Sequence, residues 1–280
     1  MRYNDIVIKA SQAFVLILLL TACEKEVDID YHEVDPLYVV EGAVTELRTT
    51  VHVSRTRSMN ATDDTDDAVD NALVVVSTPD GKRDTATYGN RGNYVATTKG
   101  VAGQAYRLDV YVDGQQFTST SVMQQKPVLN NFRMVWKEMF STRILFGELL
   151  IQDFVGEENF YYVHVFRNGF SYRWTVFSDR GSAGKEIKQL FTCCTEDDID
   201  DSDSTISDTD VIWEGDDITI EIRAIDRRSY DYLSSMQTMS SAGTNPIANF
   251  TGGCLGYFSA YSPTTYYYEF HKADVEEEDE

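Results

Sequence analysis

Two aromatic-rich runs meet at an Asn-Gly pair: Phe160-Tyr-Tyr-Val-His-Val-Phe166 leads through Arg167-Asn168-Gly169 into the run from Phe170 to Phe177. Because asparagine and glycine both accept positive φ, this pair predicts a β-hairpin with a two-residue turn. Alternation in the first run places four side chains on one face, namely Phe160, Tyr162, His164 and Phe166. The segment therefore predicts antiparallel β-structure.

Turn residues and strand patterns recur on both sides of this hairpin. Pro79-Asp80-Gly81 and Asp113-Gly114 are turn sequences that follow apolar runs. Residues 107–112 place their apolar side chains on one face. The isoleucines between residues 218 and 222 alternate with polar residues, as in a strand with one face in water. Strands at this spacing favour an all-β protein.

We predict two β-domains along the chain. An N-terminal Ig-like β-sandwich is expected over residues 36–126, followed by a second antiparallel β-domain over residues 127–272. The second domain is expected to hold one short helix capped by Ser229. Residues 273–280 are expected to form an acidic tail.

The charge balance excludes some partners. The 280 residues include 24 Lys+Arg and 46 Asp+Glu, which gives a formal net charge of -22. Nucleic acid is excluded as a partner because phosphate binding needs a basic face. Electrostatic adhesion to an anionic lipid surface is disfavoured for the same reason. With 42% hydrophobic and 12% aromatic residues, the chain is too rich in apolar groups to be disordered.

The N-terminus has the parts of a secretory signal. Two basic residues precede an apolar run, Ala13 to Leu20, that is too short to span a bilayer. The following Leu20-Thr21-Ala22-Cys23 resembles the lipobox of bacterial lipoproteins, in which the cysteine thiol is lipidated before cleavage. We predict a signal peptide over residues 1–22 and lipidation of Cys23. An ordinary signal peptide with a chance cysteine is the alternative.

Residues 23–35 are predicted to form an acidic, lipid-anchored tether. The segment begins Cys23-Glu24-Lys25-Glu26-Val27-Asp28-Ile29-Asp30. One interpretation is a solvated spacer. The run also resembles the acidic export signal that sends Bacteroidetes lipoproteins to the outer face of the outer membrane. We therefore expect an outer-membrane protein that contacts the membrane through its acyl anchor and faces the cell surface.

Several segments occur in an order that is similar to a known family. They are Val39-Val40-Glu41-Gly42, Val53-Ser54-Arg55-Thr56, Gly103-Gln104-Ala105-Tyr106-Arg107-Leu108, Asn159-Phe160-Tyr161-Tyr162, Ile225-Asp226-Arg227-Arg228-Ser229-Tyr230 and the block from Asn249 to Tyr261. Together they resemble the Bacteroidetes lipoproteins grouped as domain-of-unknown-function family 4249. The most specific part is Gly-Gly-x-Leu-Gly-Tyr-Phe, in which Cys254 stands where alanine is expected; a lineage-specific disulfide would explain that cysteine.

The resemblance implies an all-β surface lipoprotein of a kind often found with TonB-dependent outer-membrane receptors. Such proteins are suspected of assisting nutrient capture or import, so we expect a non-enzymatic accessory component with such a receptor as partner. No catalytic or ligand-binding residue carries over from the family. The alternatives are a glycan-binding or adhesion module, which needs exposed rings such as Trp136, Trp174 or Trp213, and a calcium-stabilised structural protein.

The block from Asn249 to Tyr261 has two interpretations. Its glycines permit close backbone approach, and Tyr257, Phe258 and Tyr261 then add large apolar area. A glycine-bent strand that closes a core is one interpretation. A ligand platform of the same three rings at a sheet edge is the other, and the exposure of the rings distinguishes the two.

Three cysteines remain after Cys23, and outside the cytoplasm thiols tend to pair. We expect Cys254 to pair with either Cys193 or Cys194, which leaves one thiol over. A strained bond between the two neighbours is an alternative. A soft-metal site on their thiolates is another, although no Cys-x-x-Cys or paired histidine gives zinc-type spacing.

An acidic run suggests a hard cation. Five aspartates lie close together, namely Asp197, Asp198, Asp200, Asp201 and Asp203. Calcium prefers several oxygen ligands, but the run lacks the sixth-position glycine and terminal glutamate of an EF-hand loop. A solvated acidic loop is therefore the default interpretation and Ca²⁺ binding the alternative, and no other cofactor is expected.

No catalytic site is predicted. The histidines at positions 32, 52, 164 and 271 are scattered. The sequence has no Gly-x-Ser-x-Gly elbow, no His-Glu-x-x-His and no glycine-rich phosphate loop. Carboxylates are too numerous for a glycosidase pair to be singled out. We therefore expect a protein that is not an enzyme.

Overall fold

A computed structural model describes residues 35–57, 67–154, 156, 158–180, 184–200, 210–242 and 246–278. The predicted signal peptide, Cys23 and nearly all of the tether lie outside these residues, as do Asp201 and Asp203. The strands are β1 (Tyr38–Val44), β2 (Thr49–Arg55), β3 (Leu73–Ser77), β4 (Arg83–Thr85), β5 (Thr87–Tyr88), β6 (Asn93–Ala96), β7 (Ala105–Val112), β8 (Gln115–Val122), β9 (Val128–Met139), β10 (Thr142–Gln152), β11 (Phe160–Arg167), β12 (Phe170–Ser178), β13 (Ile187–Thr195), β14 (Asp217–Ile225), β15 (Phe258–Ala260), β16 (Thr264–Glu269) and β17 (Glu276–Glu277). The helices are α1 (Glu196–Asp200) and α2 (Arg227–Ala242), with a 3-10 turn at Lys272–Asp274.

The first core lies between two sheets. Sheet I has the order β15-β1-β2-β6-β5 and sheet II the order β4-β3-β7-β8. Alternate residues of both sheets bury their side chains in one cluster, for example Val40 and Val53 from sheet I with Leu108 and Val110 from sheet II. The turn at Asp113-Gly114 joins β7 to β8 with positive φ at both residues, as its sequence predicts.

The second core lies between two further sheets. Sheet III has the order β13-β10-β9-β17 and sheet IV the order β12-β11-β14-β16. Leu145 and Leu149 of sheet III pack with Val163 and Ile220 of sheet IV. The Asn168-Gly169 turn joins β11 to β12, with φ of 51° and 81°. The predicted hairpin and the all-β fold class are confirmed.

The predicted boundary at residue 127 does not separate the two cores cleanly. β15, from the C-terminal part of the chain, pairs in parallel with β1, with Phe258 opposite Gly42. Gly256 makes this approach possible, because it has a φ of +96° and a Cβ there would lie 2.1 Å from the Val40 carbonyl oxygen. The residues from Pro36 onward form one compact unit.

The helix and the tail also differ from the prediction. α2 starts before Ser229, and its cap is Asp226, whose Oδ1 accepts a hydrogen bond from the Ser229 backbone N–H at 2.8 Å. Ser229 itself is fully buried. The tail is not simply a solvated run, because Glu276 and Glu277 pair with β9 as a short strand. No described helix combines the length and apolarity needed to cross a membrane.

Candidate functional site

The outer face of sheet IV carries a row of aromatic side chains. Residues of β11 that point away from the second core are Tyr162, His164 and Phe166, and Trp174 of β12 lies opposite His164. We call these four residues the aromatic face. Strand alternation explains the row, since every second residue of β11 faces the core and the others face outward. Helix α2 covers one end, where Tyr232 and Leu233 pack with Tyr162.

The rings of the aromatic face are in contact with one another. The His164 ring centroid lies 4.0 Å from that of Phe166 and 5.7 Å from that of Tyr162. The Tyr162 and Trp174 centroids are 6.0 Å apart. Such pairs contribute about 0.5–1.5 kcal/mol each beyond area burial. Tyr162 is buried, while the other three side chains are half-buried and reach the surface.

Arg223 of β14 borders the aromatic face, directly opposite Tyr162 in the sheet. Its Cζ lies 4.9 Å from the Tyr162 ring centroid and 4.2 Å from that of Tyr261. Its Nε forms an ion pair with Glu221 Oε1, and the two side chains are only 14% and 22% exposed. A guanidinium held between two rings and a carboxylate is a rigid, permanently charged donor group.

Tyr257 extends this arrangement towards sheet I. Its hydroxyl lies near Arg223, whose positive charge favours the ionised phenol, and its ring stacks on Tyr232 with centroids 5.3 Å apart. Burial raises the pKa of Tyr257, and it raises the pKa of Tyr261 to about 12. Both phenols are therefore neutral at physiological pH. Tyr257 also lines a shallow recess with Glu41 of sheet I.

His164 is neutral at physiological pH. Burial and then the charge of Arg223 lower its pKa below the ordinary value of 6.5. Its Nε2 lies 2.7 Å from Ser171 Oγ. Glu221 lies opposite His164 in the sheet, but its Oε1 binds Arg223. Among the described residues no carboxylate accepts a hydrogen bond from this imidazole, so the Ser–His contact lacks the third group of a triad.

The face can therefore bind by stacking and hydrogen bonding. It offers apolar rings, a neutral imidazole and a hydroxyl on strands that fix their positions. Arg223 and Glu221 add one charge of each sign at its edge. This composition suits a planar or ring-shaped ligand, or the aromatic and apolar side chains of a protein partner.

The predicted three-ring platform is divided between core and surface. Phe258 is completely buried in the first core, so the platform prediction is wrong for this residue. Tyr257 and Tyr261 are half-buried and contact Arg223. Of the three tryptophans, Trp174 alone lies on the aromatic face. Trp136 is buried in the second core and Trp213 packs against that core.

Arg223 was not anticipated from the sequence. Its alternation with Ile222 and Ala224 identifies it as an outward-facing residue of a strand. However, its contacts with Tyr162 and Tyr261 depend on strand pairing and on the return of the chain after β15, and neither can be read from local sequence.

The predicted disulfide is absent from the structure. Cys193, Cys194 and Cys254 are all free and buried. Cys254 packs in the first core, whereas the other two pack in the second. Burial raises the pKa of all three thiols, that of Cys254 to about 12, so they behave as small apolar side chains. Neutral, buried thiols are also unsuited to a soft-metal site.

The acidic run begins with a helix cap. Asp198 Oδ2 accepts a hydrogen bond from the Thr195 N–H at 2.7 Å, and Thr195 Oγ1 accepts one from the Asp198 N–H at 3.3 Å. This reciprocal pair starts α1, to which Asp197 and Asp200 also belong. The described parts of the chain contain no group of three or more His, Cys, Asp or Glu side chains placed to hold a metal ion.

Comparisons with known proteins give a family match and remote structural likenesses. The family described as "Domain of unknown function (DUF4249)" matches residues 24–267. A segment of two fibronectin type-III domains from chicken tenascin is similar at 10% identity with a TM-score of 0.23, covering 84% of this chain and 100% of that one. No curated protein matches. Since the family match spans most of the sequence, the chain belongs to the DUF4249 family.

Proposed function

We propose that this protein is a lipid-anchored, non-enzymatic binding protein of the outer membrane. In this proposal it faces the cell surface of a Bacteroidetes-type envelope and acts as an accessory component of a TonB-dependent nutrient uptake system. The anchor rests on the lipobox-like Leu20-Thr21-Ala22-Cys23, and the surface location on the acidic run after it. The proposed partner is a TonB-dependent receptor.

The aromatic face is the observation that carries the binding function. Trp174, His164 and Phe166 leave part of their area at the surface while contacting one another. Aromatic rings and arginine dominate the binding energy of protein interfaces. Rings already held in place by a sheet lose little conformational entropy when a partner covers them. The face is therefore suited to a protein partner.

A glycan is the second candidate ligand, and Trp174 favours it. The indole lies beside Tyr162, with His164 directly opposite in the sheet. A sugar ring could stack on the part of the indole that reaches the surface while its hydroxyls bond to Ser171 or His164. Both candidates use the same surface and differ in what occupies it.

A pull-down in mild detergent tests the proposal. The tagged protein and the variants Trp174→Ala and Leu47→Ala are purified from membranes of the native host. Leu47 is 77% exposed in the turn between β1 and β2 and serves as the control for loss of surface apolar area. We expect the protein and Leu47→Ala to retain a TonB-dependent receptor, and Trp174→Ala to retain about tenfold less. Equal recovery from all three would contradict the assignment of the face.

The anchor has its own test. Cys23→Ser removes the thiol that the acyl chain needs, so we expect the variant to leave the membrane fraction with an unchanged fold. Protease added to intact cells should cleave the anchored wild-type protein if it faces outward. Retention of Cys23→Ser in the membrane, or full protection of the wild type, would contradict these two parts of the proposal.

A further inference from the structure

Two buried carboxylates meet at one end of the second core. Asp153 follows β10 directly, and Asp179 follows β12. Asp153 and Asp179 are 4% and 7% exposed. The Asn159 side chain links their two loops, because its Nδ2 donates to Asp179 Oδ2 at 2.7 Å and to the carbonyl oxygen of Phe154, the residue after Asp153, at 3.2 Å. Strand ends of sheets III and IV thus bring together two groups of the same charge.

The surrounding loops hold both carboxylates in place. Asp179 accepts hydrogen bonds from the Asn159 backbone N–H at 2.9 Å and from Asn159 Nδ2 at 2.7 Å. Asp153 Oδ2 accepts one from the Gly184 N–H at 2.7 Å. All these donors are neutral amides. They orient the carboxylates without compensating their charge.

The described residues bring no positively charged partner to this site. Among the described residues, neither Asp153 nor Asp179 forms an ion pair with a lysine, arginine or histidine. The nearby Arg180 and Arg227 pair with Glu158 instead. Buried carboxylates normally carry a paired counter-charge, because desolvation of an uncompensated charge is costly. Within the described part of the chain, this leaves a proton or a bound cation as the source of the counter-charge.

Two buried oxygens at this site have no hydrogen-bond partner among the residues that the structure describes. They are Asp153 Oδ1 and the hydroxyl oxygen of Tyr161, a fully buried residue. An unpartnered carboxylate oxygen that is more than nine-tenths buried is the group a cation would bind.

We propose that Asp153 and Asp179 form a binding site for a hard divalent cation, with Ca²⁺ as the ion that fits. The available donors are all oxygens, namely the two carboxylates and the Tyr161 hydroxyl, which is the donor type that Ca²⁺ prefers over soft metals. One divalent ion would compensate both negative charges and join the ends of β10 and β12. The site is separate from the acidic run at residues 197–203 and does not depend on the proposed binding function.

Thermal unfolding with calcium tests this site. The melting temperature Tm is measured at pH 7.5 in 1 mM EDTA and in 2 mM CaCl₂ for the wild type, Asp153→Asn, Asp179→Asn and Asp197→Asn. Asp197 is an exposed residue of α1 and serves as the matched control. We expect calcium to raise the Tm of the wild type and of Asp197→Asn by about 3 °C or more. The shift should vanish in both other variants.

A second measurement uses the wild type, so its result does not depend on whether the aspartate variants fold. Terbium(III) replaces calcium as a luminescent probe, and Tyr161 lies close enough to sensitise its emission. We expect sensitised emission that calcium displaces and that Tyr161→Phe reduces. A wild-type Tm that calcium leaves unchanged, or a shift that persists in Asp153→Asn, would overturn the proposal. If instead the Tm in EDTA rises as the pH falls from 8 to 5.5 with no calcium effect, the pair shares a proton and the cation site is refuted.

Discussion

Tyr261 lies over the guanidinium of Arg223, with the Arg223 Cζ 4.2 Å from the ring centroid. Tyr261 follows β15, which belongs to the sheet of the first core, whereas Arg223 belongs to β14 of the second. The contact therefore joins the two parts of the fold beside the aromatic face. It also holds a charged group at the edge of the surface that we propose binds a partner.

Loss of Arg223 should destabilise the protein. In Arg223→Leu the half-buried Glu221 loses its partner and two rings lose a cation, so we expect a loss of about 2 kcal/mol in the free energy of unfolding. Arg223→Lys keeps the charge but not the planar guanidinium. We therefore expect its free energy of unfolding to lie between those of the wild type and Arg223→Leu. Urea unfolding measures both variants. Wild-type stability in Arg223→Leu would show that the contact contributes nothing.

Among the carboxylates of sheet III, Glu148 is the one whose substitution we expect to destabilise the protein most. Its side chain is 1% exposed and lies 2.7 Å from Arg133 Nε and 3.1 Å from Lys188 Nζ. Glu148→Ala removes the shared partner of these cations, and we expect a loss of about 3–5 kcal/mol. Glu148→Gln keeps the shape of the side chain, so we expect a smaller loss in the free energy of unfolding. Chemical denaturation at pH 7 gives both values, and a neutral effect of Glu148→Ala would contradict the role of the network.

The Glu148 contribution should disappear in acid. Burial alone would raise the pKa of Glu148, but hydrogen bonds from Arg133 and Lys188 outweigh it, so the pKa lies below its ordinary value of 4.5. A lowered folded-state pKa stabilises the protein above the unfolded value, and this contribution is lost as the pH falls through the folded value. We expect the stability difference between wild type and Glu148→Gln to be constant from pH 6 to 8 and to shrink below pH 4.5. A difference independent of pH would argue against ionic stabilisation.

Two glycines of one loop should respond differently to alanine. Gly253 and Gly256 have φ of +90° and +96°, so alanine at either costs about 1–2 kcal/mol in backbone strain. A Cβ at Gly253 meets nothing within 4 Å, whereas one at Gly256 would collide with the Val40 backbone and displace β15. We expect Gly256→Ala to lower Tm well beyond Gly253→Ala. Equal Tm losses would mean that the close approach of β1 is not required.

The β9–β10 hairpin should be easy to stabilise. Its turn residues, Phe140 and Ser141, have φ of 52° and 67°, and Phe140 is 97% exposed. Replacing the pair by Asn-Gly, the sequence of the β11–β12 turn, removes strain of about 1 kcal/mol or more. We expect a higher Tm than wild type. An unchanged or lower Tm would show that the turn is not strained.

The local parts of the fold were predictable from sequence. The turns at Asp113-Gly114 and Asn168-Gly169 form as expected, because the ability to adopt positive φ is a property of the turn residues themselves. The faces of β7 and β11 follow from alternation alone. The cap of α2 was placed at Ser229 rather than Asp226 because both residues are good N-caps, and the packing of the helix determines which one serves.

The long-range parts were not predictable from sequence. Strand β15 is three residues long, and its partner β1 lies near the other end of the chain. No local sequence pattern therefore predicts this pairing. The same is true of β17, which the charge pattern suggested to be a free tail. Asp153 and Asp179 are two carboxylates among 46 acidic residues, and they meet because sheet III packs against sheet IV, which no local pattern indicates.

Site-specific photo-crosslinking in intact cells tests the proposed binding surface most directly. A photoreactive phenylalanine analogue is placed at Trp174 on the aromatic face and, as control, at Leu47. We expect position 174 to form a covalent adduct with an outer-membrane TonB-dependent receptor after illumination, and position 47 to form none. Adducts at position 47 alone, or none at position 174 while the protein is folded and anchored, would contradict the assignment of this face as the binding surface.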